Sequence, residues 1–234
     1  MLQTLALIPA RAGSKSIPNK NIVELDKHPL IAHSIKSAKD TRLIHRTLVS
    51  TDSVAIKDIS INYGAEVPFL RPANLAQDET PDLPVFVHCL NWLMENHNYR
   101  PGLVVHLRPT TPFRDIEIIE QCIEKLINNP TADSLRVVTP SREHPYKTWT
   151  INEGDVYLKP LIRSHIKEQH NQPRQKLPNT FFQPGYLDVI RASTILEKQS
   201  MSGTKILGHI LYDGEILDID DQQSLDYARY LRKI

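Results

Sequence analysis

Between residues 2 and 139, short apolar runs alternate with longer stretches of helical periodicity. The runs Leu2–Ile8, Arg46–Ser50, Glu66–Leu70, Gly102–Leu107 and Ser134–Thr139 have strand length, and prolines stop the first, third and fourth. Between them, apolar residues recur at helical spacing. They are Leu30, Ile31, Ile35 and Ala38; then Val54 to Tyr63; then Leu83, Val87, Leu90 and Met94; then Ile116, Ile119, Ile123 and Leu126. Strand and amphipathic helix in alternation dictate βαβ units and a largely parallel sheet. Right-handed crossovers then cover both faces with helices, which makes a three-layer α/β sandwich. In such sheets ligands sit beyond the carboxyl ends of the strands. Three loops fall there: the turn after Ile8, the segment from Thr51, and Arg108 to Arg114.

From about Pro140 to Thr180 the alternation stops, and prolines, histidines and charges dominate. This segment reads as an arm inserted into a single domain spanning 1–234, not as a second core. Strands resume at Tyr186–Ile190 and Lys205–Tyr212, and a terminal helix starts at Gln222. The chain has 234 residues, a net charge of +1, two cysteines, and 17 prolines against 8 glycines. Near-neutral charge excludes a strong general field for nucleic acid or membrane, so any cationic chemistry is local to a cleft. Cys89 and Cys122 lie in helical patterns and read as reduced core thiols. No signal-like or membrane-length apolar run occurs, so a soluble cytoplasmic protein is expected.

The stretch LALIPARAGSKSIPNKN, residues 5–21, carries the strongest chemical signal. It follows a strand and holds Arg11, Lys15 and Lys20 around Gly13 and Ser14. Backbone N–H groups at such a turn, with cations beside them, suit a polyphosphate. A basic surface linker is the alternative, and the stiffening by Pro9 and Pro18 argues against it. The G-x-x-x-x-G-K-[ST] spacing of a P-loop is absent. Near the other end, Asp218 and Asp220 alternate on an extended segment and can share a side, an arrangement that suits Mg²⁺. The competing reading is that Asp220 or Asp221 caps the terminal helix. Arg108 and Arg114 bracket a Pro-Thr-Thr-Pro turn, where Arg114 can also pair with Asp115 or Glu117 on the surface. Arg174 is either a carboxylate grip or a solvated charge. The histidines His144, His165 and His170 of the arm match no helix face and read as surface residues.

Taken in order, these segments resemble the acylneuraminate cytidylyltransferase family, the CMP-sialic acid synthetases. LIPARAGSKSIPNKN matches that family's nucleotide loop. STDS at 50–53, RPANLAQDET at 71–80, RPTTPFR at 108–114, RQKLP at 174–178 and DIDDQQSLDYA at 218–228 follow in the same order. The resemblance implies a Rossmann-like sheet with a protruding dimerisation arm, a homodimer, and transfer of CMP from CTP to a nonulosonic acid with release of pyrophosphate. It implies Mg²⁺ as cofactor, held by Asp218 and Asp220. Arg11, Ala12, Gly13, Ser14, Lys15 and Lys20 would surround the triphosphate, with Asn21, Arg71 and Thr80 at the cytidine. Arg11, Lys20 and Asp220 would carry the catalytic roles. Arg108, Arg174, Gln183 and Tyr186 would face the sugar. Two positions depart from the sialic-acid pattern: Arg108 replaces a Gln, and Pro184-Gly185 replaces Asn-Gly. Both weaken the case for sialic acid itself as acceptor. They leave open a bacterial relative such as legionaminic or pseudaminic acid, the eight-carbon acid Kdo, or another nucleotide. A non-catalytic nucleotide-binding subunit is the third reading.

Overall fold

A computed structural model describes residues 2–212 and 216–232. Eleven strands occur among them: β1 Thr4–Pro9, β2 Glu24–Leu25, β3 His28–Pro29, β4 Arg46–Ser50, β5 Leu103–His106, β6 Ser134–Pro140, β7 Trp149–Thr150, β8 Lys159–Pro160, β9 Phe181–Phe182, β10 Asp188–Arg191 and β11 Ile206–Ile210. The helices are α1 Leu30–Asp40, α2 Val54–Asn62, α3 Asp82–His97, α4 Ile116–Ile127, α5 Ala192–Leu196 and α6 Gln222–Leu231. The main sheet runs in the order β11-β6-β10-β5-β1-β4, with β9 paired to the end of β6. The pairs β1–β4, β1–β5 and β11–β6 are parallel, as the alternation requires. β10 is antiparallel to both β5 and β6. An antiparallel strand starts where its neighbours end, so the first residue of β10 lies at the carboxyl edge of the sheet.

Strand side chains alternate between two cores. Ala6 and Ile8 of β1 pack with Ile31 and Ile35 of α1, Ile56 of α2, and Ile119 and Ile123 of α4. Leu5 and Leu7 point the other way, onto Phe86, Leu90 and Leu93 of α3 and Ile195 of α5. The sandwich therefore has helices on both faces. A third cluster joins Ile17, Leu25 and Leu30 to Ile219, Leu225 and Ala228. It docks α6 and the segment before it against the loop that follows β1.

The expected strand over Glu66–Leu70 reduces to a single bridge between Leu48 and Glu66. Glu66 N–H donates to Thr47 O, and Val49 N–H donates to Glu66 O, at 2.8 and 2.9 Å. The next residue due to pair is Pro68, which has no N–H to offer, so the ladder ends. Cys89 and Cys122 are buried and unbridged, and burial raises their thiols to about 11 and about 12.

The arm between β6 and β9 has short 3-10 turns and the two-residue β7–β8 hairpin. Its centre is polar. Gln169, buried, donates to the carbonyls of Tyr146 and Ile162 and accepts from Ser164. His144 is also buried, against the surface reading: its Nε2 donates to Pro178 O at 3.1 Å and its Nδ1 accepts from Tyr146 N–H. His170 is half-covered by Trp149, with ring centroids 3.7 Å apart, and only His165 stays exposed. Hydrogen bonds to the turning backbone, rather than a helix face, decide which histidines are buried.

Asp133 ties the approach to β11 onto the start of β6. It accepts from Lys198 Nζ at 2.5 Å and from the N–H groups of Thr204 and Lys205 at 2.9 and 3.1 Å. These donors hold its carboxyl well below the usual carboxylate range. Gly203 is required beside it: its φ is +66°, and a Cβ there would stand 2.4 Å from Asp133. A depressed folded-state pKa stabilises the fold above the unfolded pKa of about 4, and that contribution fades as pH falls below it. Asp133→Asn is therefore expected to lower the denaturation midpoint at pH 7. The gap to the unmodified protein should narrow at pH 3. Equal gaps at both pH values would contradict the ionic role.

Candidate active site

The turn after β1 is fixed by its own side chains. Ala12 N–H donates to Asp52 Oδ1 at 2.9 Å, and Asn21 Nδ2 donates to Arg11 O at 2.8 Å. Asn19 takes a left-handed φ of 55°, which turns the chain into the short helix that starts at Lys20. Arg11 and Lys15 are both paired to Asp78. Lys20 reaches Asp220 Oδ1 at 3.2 Å. A cavity of about 440 Å³ opens here, and Arg11, Ser14, Lys15, Lys20, Asn21, Arg71 and Thr80 all line it. Ala12 and Gly13 belong to the same turn but do not line the cavity. Arg71 is buried and spends its guanidinium on Ser50, with Nε donating to Oγ at 3.0 Å. Burial lowers its pKa.

A second cavity of about 840 Å³ adjoins the first, with Gln183, Pro184, Gly185, Asp218 and Asp220 on its walls. Arg108 lines both cavities. Gly185 sits between Arg108 and Asp218 at φ +72°, and a Cβ there would contact both at 3.5 and 3.7 Å. Asp218 Oδ1 is buried without a hydrogen-bond partner. Burial raises its carboxyl, while the Thr110 hydroxyl and the charge of Lys20 oppose that rise. The capping alternative is assigned to the next residue. Asp221 accepts from Ser224 N–H at 2.8 Å as the cap of α6, which leaves Asp218 and Asp220 for other work.

An orphaned buried carboxylate oxygen beside a second carboxylate fits a hard cation. Mg²⁺ takes one or two carboxylates and completes its octahedron with water and substrate phosphate. Among the described residues no group of three or more His, Cys, Asp or Glu side chains forms a metal cage. The pair therefore suits an ion that arrives with the nucleotide.

One expected site residue lies elsewhere. Tyr186 is a core residue. It is 4% exposed, its hydroxyl accepts from Asp115 N–H at 2.7 Å, and it lines neither cavity. Arg174 lies outside the larger cavity, against a small one of about 170 Å³, and donates to the carbonyls of Ser141 and Arg142. It pins the turn that walls the larger cavity. Arg114 makes no surface pair. It is half-buried and donates to Tyr186 O at 2.6 Å, Ser34 Oγ at 2.9 Å and Arg108 O at 2.7 Å, and desolvation brings it down to about 9. The sequence assigns no role to the carboxylates Asp78, Asp82 and Asp188, which pair with these cations, or to Asp52, which holds the turn. Asp52 and Asp78 lie within the motifs at 50–53 and 71–80, and Asp188 stands as a charge within an apolar strand run.

The description Cytidylyltransferase belongs to the family model that matches residues 5–180. This chain belongs to the cytidylyltransferase family. It is therefore a nucleotidyltransferase. The CMP-N,N'-diacetyllegionaminic acid synthase of Legionella pneumophila is 34% identical over 221 residues, covering 94% of this chain and 91% of that one. The pseudaminic acid cytidylyltransferase of Campylobacter jejuni is 28% identical over 236 residues, covering 100% and 97%. A CMP:2-keto-3-deoxy-manno-octonic acid synthetase complexed with CTP shares the fold, with a TM-score of 0.72 over 99% of this chain and 98% of that one, at 14% identity.

Arg114 is the internal brace of this cytidylyltransferase's Pro-Thr-Thr-Pro turn. Arg114→Met should leave its acceptors short of donors and cost about 3 kcal/mol. That corresponds to a melting temperature lower by roughly 6–12 °C. Thermal unfolding measures it, and an unchanged midpoint would show that the brace is dispensable.

Proposed function

We propose that this protein transfers the CMP group of CTP to the anomeric hydroxyl of an acidic sugar of the nonulosonic type, releasing pyrophosphate. One observation carries the reading. Lys20 and Asp220 are 200 positions apart in the chain, yet they meet at 3.2 Å where the two cavities join. A cation from a phosphate loop and a carboxylate from a candidate metal pair thus face one reacting centre. A non-catalytic nucleotide binder needs no second cavity beside that contact.

In this reading Arg11, Ser14, Lys15 and Lys20 hold the triphosphate. The cytidine lies toward Asn21, Arg71 and Thr80. The sugar occupies the larger cavity, with Arg108 and Gln183 at its polar wall. Its anomeric oxygen attacks the α-phosphorus, a new P–O bond forms, and the bond to pyrophosphate breaks. Asp220 takes the hydroxyl proton, and Arg11 and Lys20 stabilise charge on the departing pyrophosphate. Such transfers are accelerated by positioning and charge stabilisation more than by covalent chemistry. Asp218 and Asp220 would hold Mg²⁺, which when bound withdraws charge from the phosphate oxygens.

We assign the enzyme to a homodimer whose arm meets the partner subunit. Val156, Tyr157, Leu158 and Leu161 of the arm are 86, 82, 54 and 53% exposed, more apolar surface than an isolated loop favours. Arg174 of the arm would then serve the partner's sugar cavity. We place the enzyme in the cytoplasm, a compartment that suits its two free thiols.

Pyrophosphate release across four nucleoside triphosphates and a panel of acidic sugars tests the reaction. Kdo and the nonulosonic acids belong in that panel. Release is expected with CTP and a nonulosonic acid, and no release from CTP with any acidic sugar would overturn the reading. Lys20→Ala and Asp220→Ala should each lower kcat by about 100-fold with the fold intact. Chelation of divalent cations should abolish release, and added Mg²⁺ should restore it. Arg108→Gln should raise KM for the sugar more than KM for CTP.

A further inference from the structure

Asp188 opens β10. Its Cα pairs with His106, the last residue of β5, on one side and with Arg136 of β6 on the other. It is 2% exposed, and a carboxylate buried so deeply is tolerable only when paired. Its Oδ2 lies 3.2 Å from Arg108 Nη1, and both its oxygens accept from Gln183 Nε2, at 3.1 and 3.4 Å. Gln183 Oε1 accepts in turn from Arg136. The imidazole of His106 stands 3.8 Å from the same carboxylate. Burial first, and then the charges of Arg108, Arg114 and Arg136, keep it neutral, so it does not compete as a cation. A rival carboxylate lies on the nucleotide side: Asp82, at the start of α3, is 3.6 Å from Arg108 Nη2.

We propose that Asp188 is a positioning residue that sets Arg108 for acceptor recognition, holding the guanidinium on the sugar side of the seam against the pull of Asp82. The inference rests on the cytidylyl-transfer reading. Asp188 lines neither cavity. It acts through Arg108 and Gln183, both of which line the sugar-side cavity. When residue 188 is neutral, Arg108 keeps one ionic partner instead of two and turns toward Asp82. Gln183 loses the charge that orients its amide.

Asp188→Asn keeps the shape of the side chain. It should raise KM for the acceptor about ten-fold, as loss of a charge-assisted hydrogen bond requires, and change KM for CTP and kcat by less than about two-fold. In an Arg108→Gln background the same substitution should add less than about two-fold, because its target is already gone. Asp188→Glu, which retains the charge, should recover most of the acceptor affinity. Equal losses toward both substrates, or additive effects in the double variant, would overturn the proposal. Should Asp188→Asn fold poorly, Arg136→Met loosens Gln183 from the far side and should raise acceptor KM alone by about three-fold. An equal rise for CTP counts against the proposal. A crystal structure of the Asp188→Asn protein separates this inference from the reaction. Arg108 turned toward Asp82 supports it even if no sugar is turned over, and an unmoved guanidinium sinks it.

Discussion

The contact between Lys20 and Asp220 exists because a small apolar cluster holds it. Ile219 is fully buried between the two aspartates, and it packs with Ile17 and Leu25 from the loop after β1. Leu225 and Ala228 anchor α6 to the same patch. Burying one such aliphatic side chain contributes roughly 1.5–3 kcal/mol, several times what an exposed ion pair supplies. The ion pair at 3.2 Å therefore follows from the packing and does not hold it. The alternation Asp-Ile-Asp does two jobs at once: the middle residue fixes the segment, and its neighbours face outward into the cleft.

The cations of the cleft divide by burial. Lys15 is 81% exposed, and its partner Asp78 is 37% exposed. Arg11, bound to the same aspartate, is 31% exposed. Solvated pairs of this kind are worth about 0–1 kcal/mol, so a phosphate can displace Asp78 at little cost. The shared aspartate thus keeps two cations aimed at the cavity without holding them there. Arg108 is different, because its partner Asp188 is 3% exposed at the side chain. Breaking that pair would strand a buried carboxylate, a cost of several kcal/mol. The loop after β1 has exchangeable partners, and the wall of the larger cavity has a fixed one.

How much of this was legible follows the same physics. Side-chain periodicity reports which faces are buried, so the three-layer order and the strands around β1 could be read from it. Periodicity carries no strand direction, so the antiparallel β10 was invisible, and with it the place of Asp188 at the carboxyl edge. Pro68 was legible in principle: the apolar alternation at 65–69 is real, but only the pairing rule shows that the ladder stops there. Lys20, Asn21 and Thr80 line the smaller cavity and Asp220 the larger, positions that motifs within rigid turns make legible. Tyr186 was misplaced because its hydroxyl is claimed by a nearby backbone group, Asp115 N–H. The surface pair offered for Arg114 fails for the same reason: acceptors from the turn itself, from α1 and from the segment before β10 outcompete the adjacent acids.

The charge accounting at the seam bears on what the acceptor meets. Arg108 lies within ion-pair distance of both Asp82 and Asp188, and His106 is neutral, so the charge of this guanidinium is matched beside it. A cation matched in this way adds little long-range attraction for an acidic ligand. What Arg108 offers in the proposed reaction is a donor at a fixed height and angle, next to a fixed amide. Recognition by fixed donors discriminates through unmet hydrogen bonds: a sugar whose carboxylate or hydroxyls fall elsewhere leaves those donors desolvated and unpaired. A free cation would accept many acids at that position. A cation committed to Asp188 accepts the few whose shape places an oxygen at its remaining donors, so the buried carboxylate narrows the choice of acceptor without touching it.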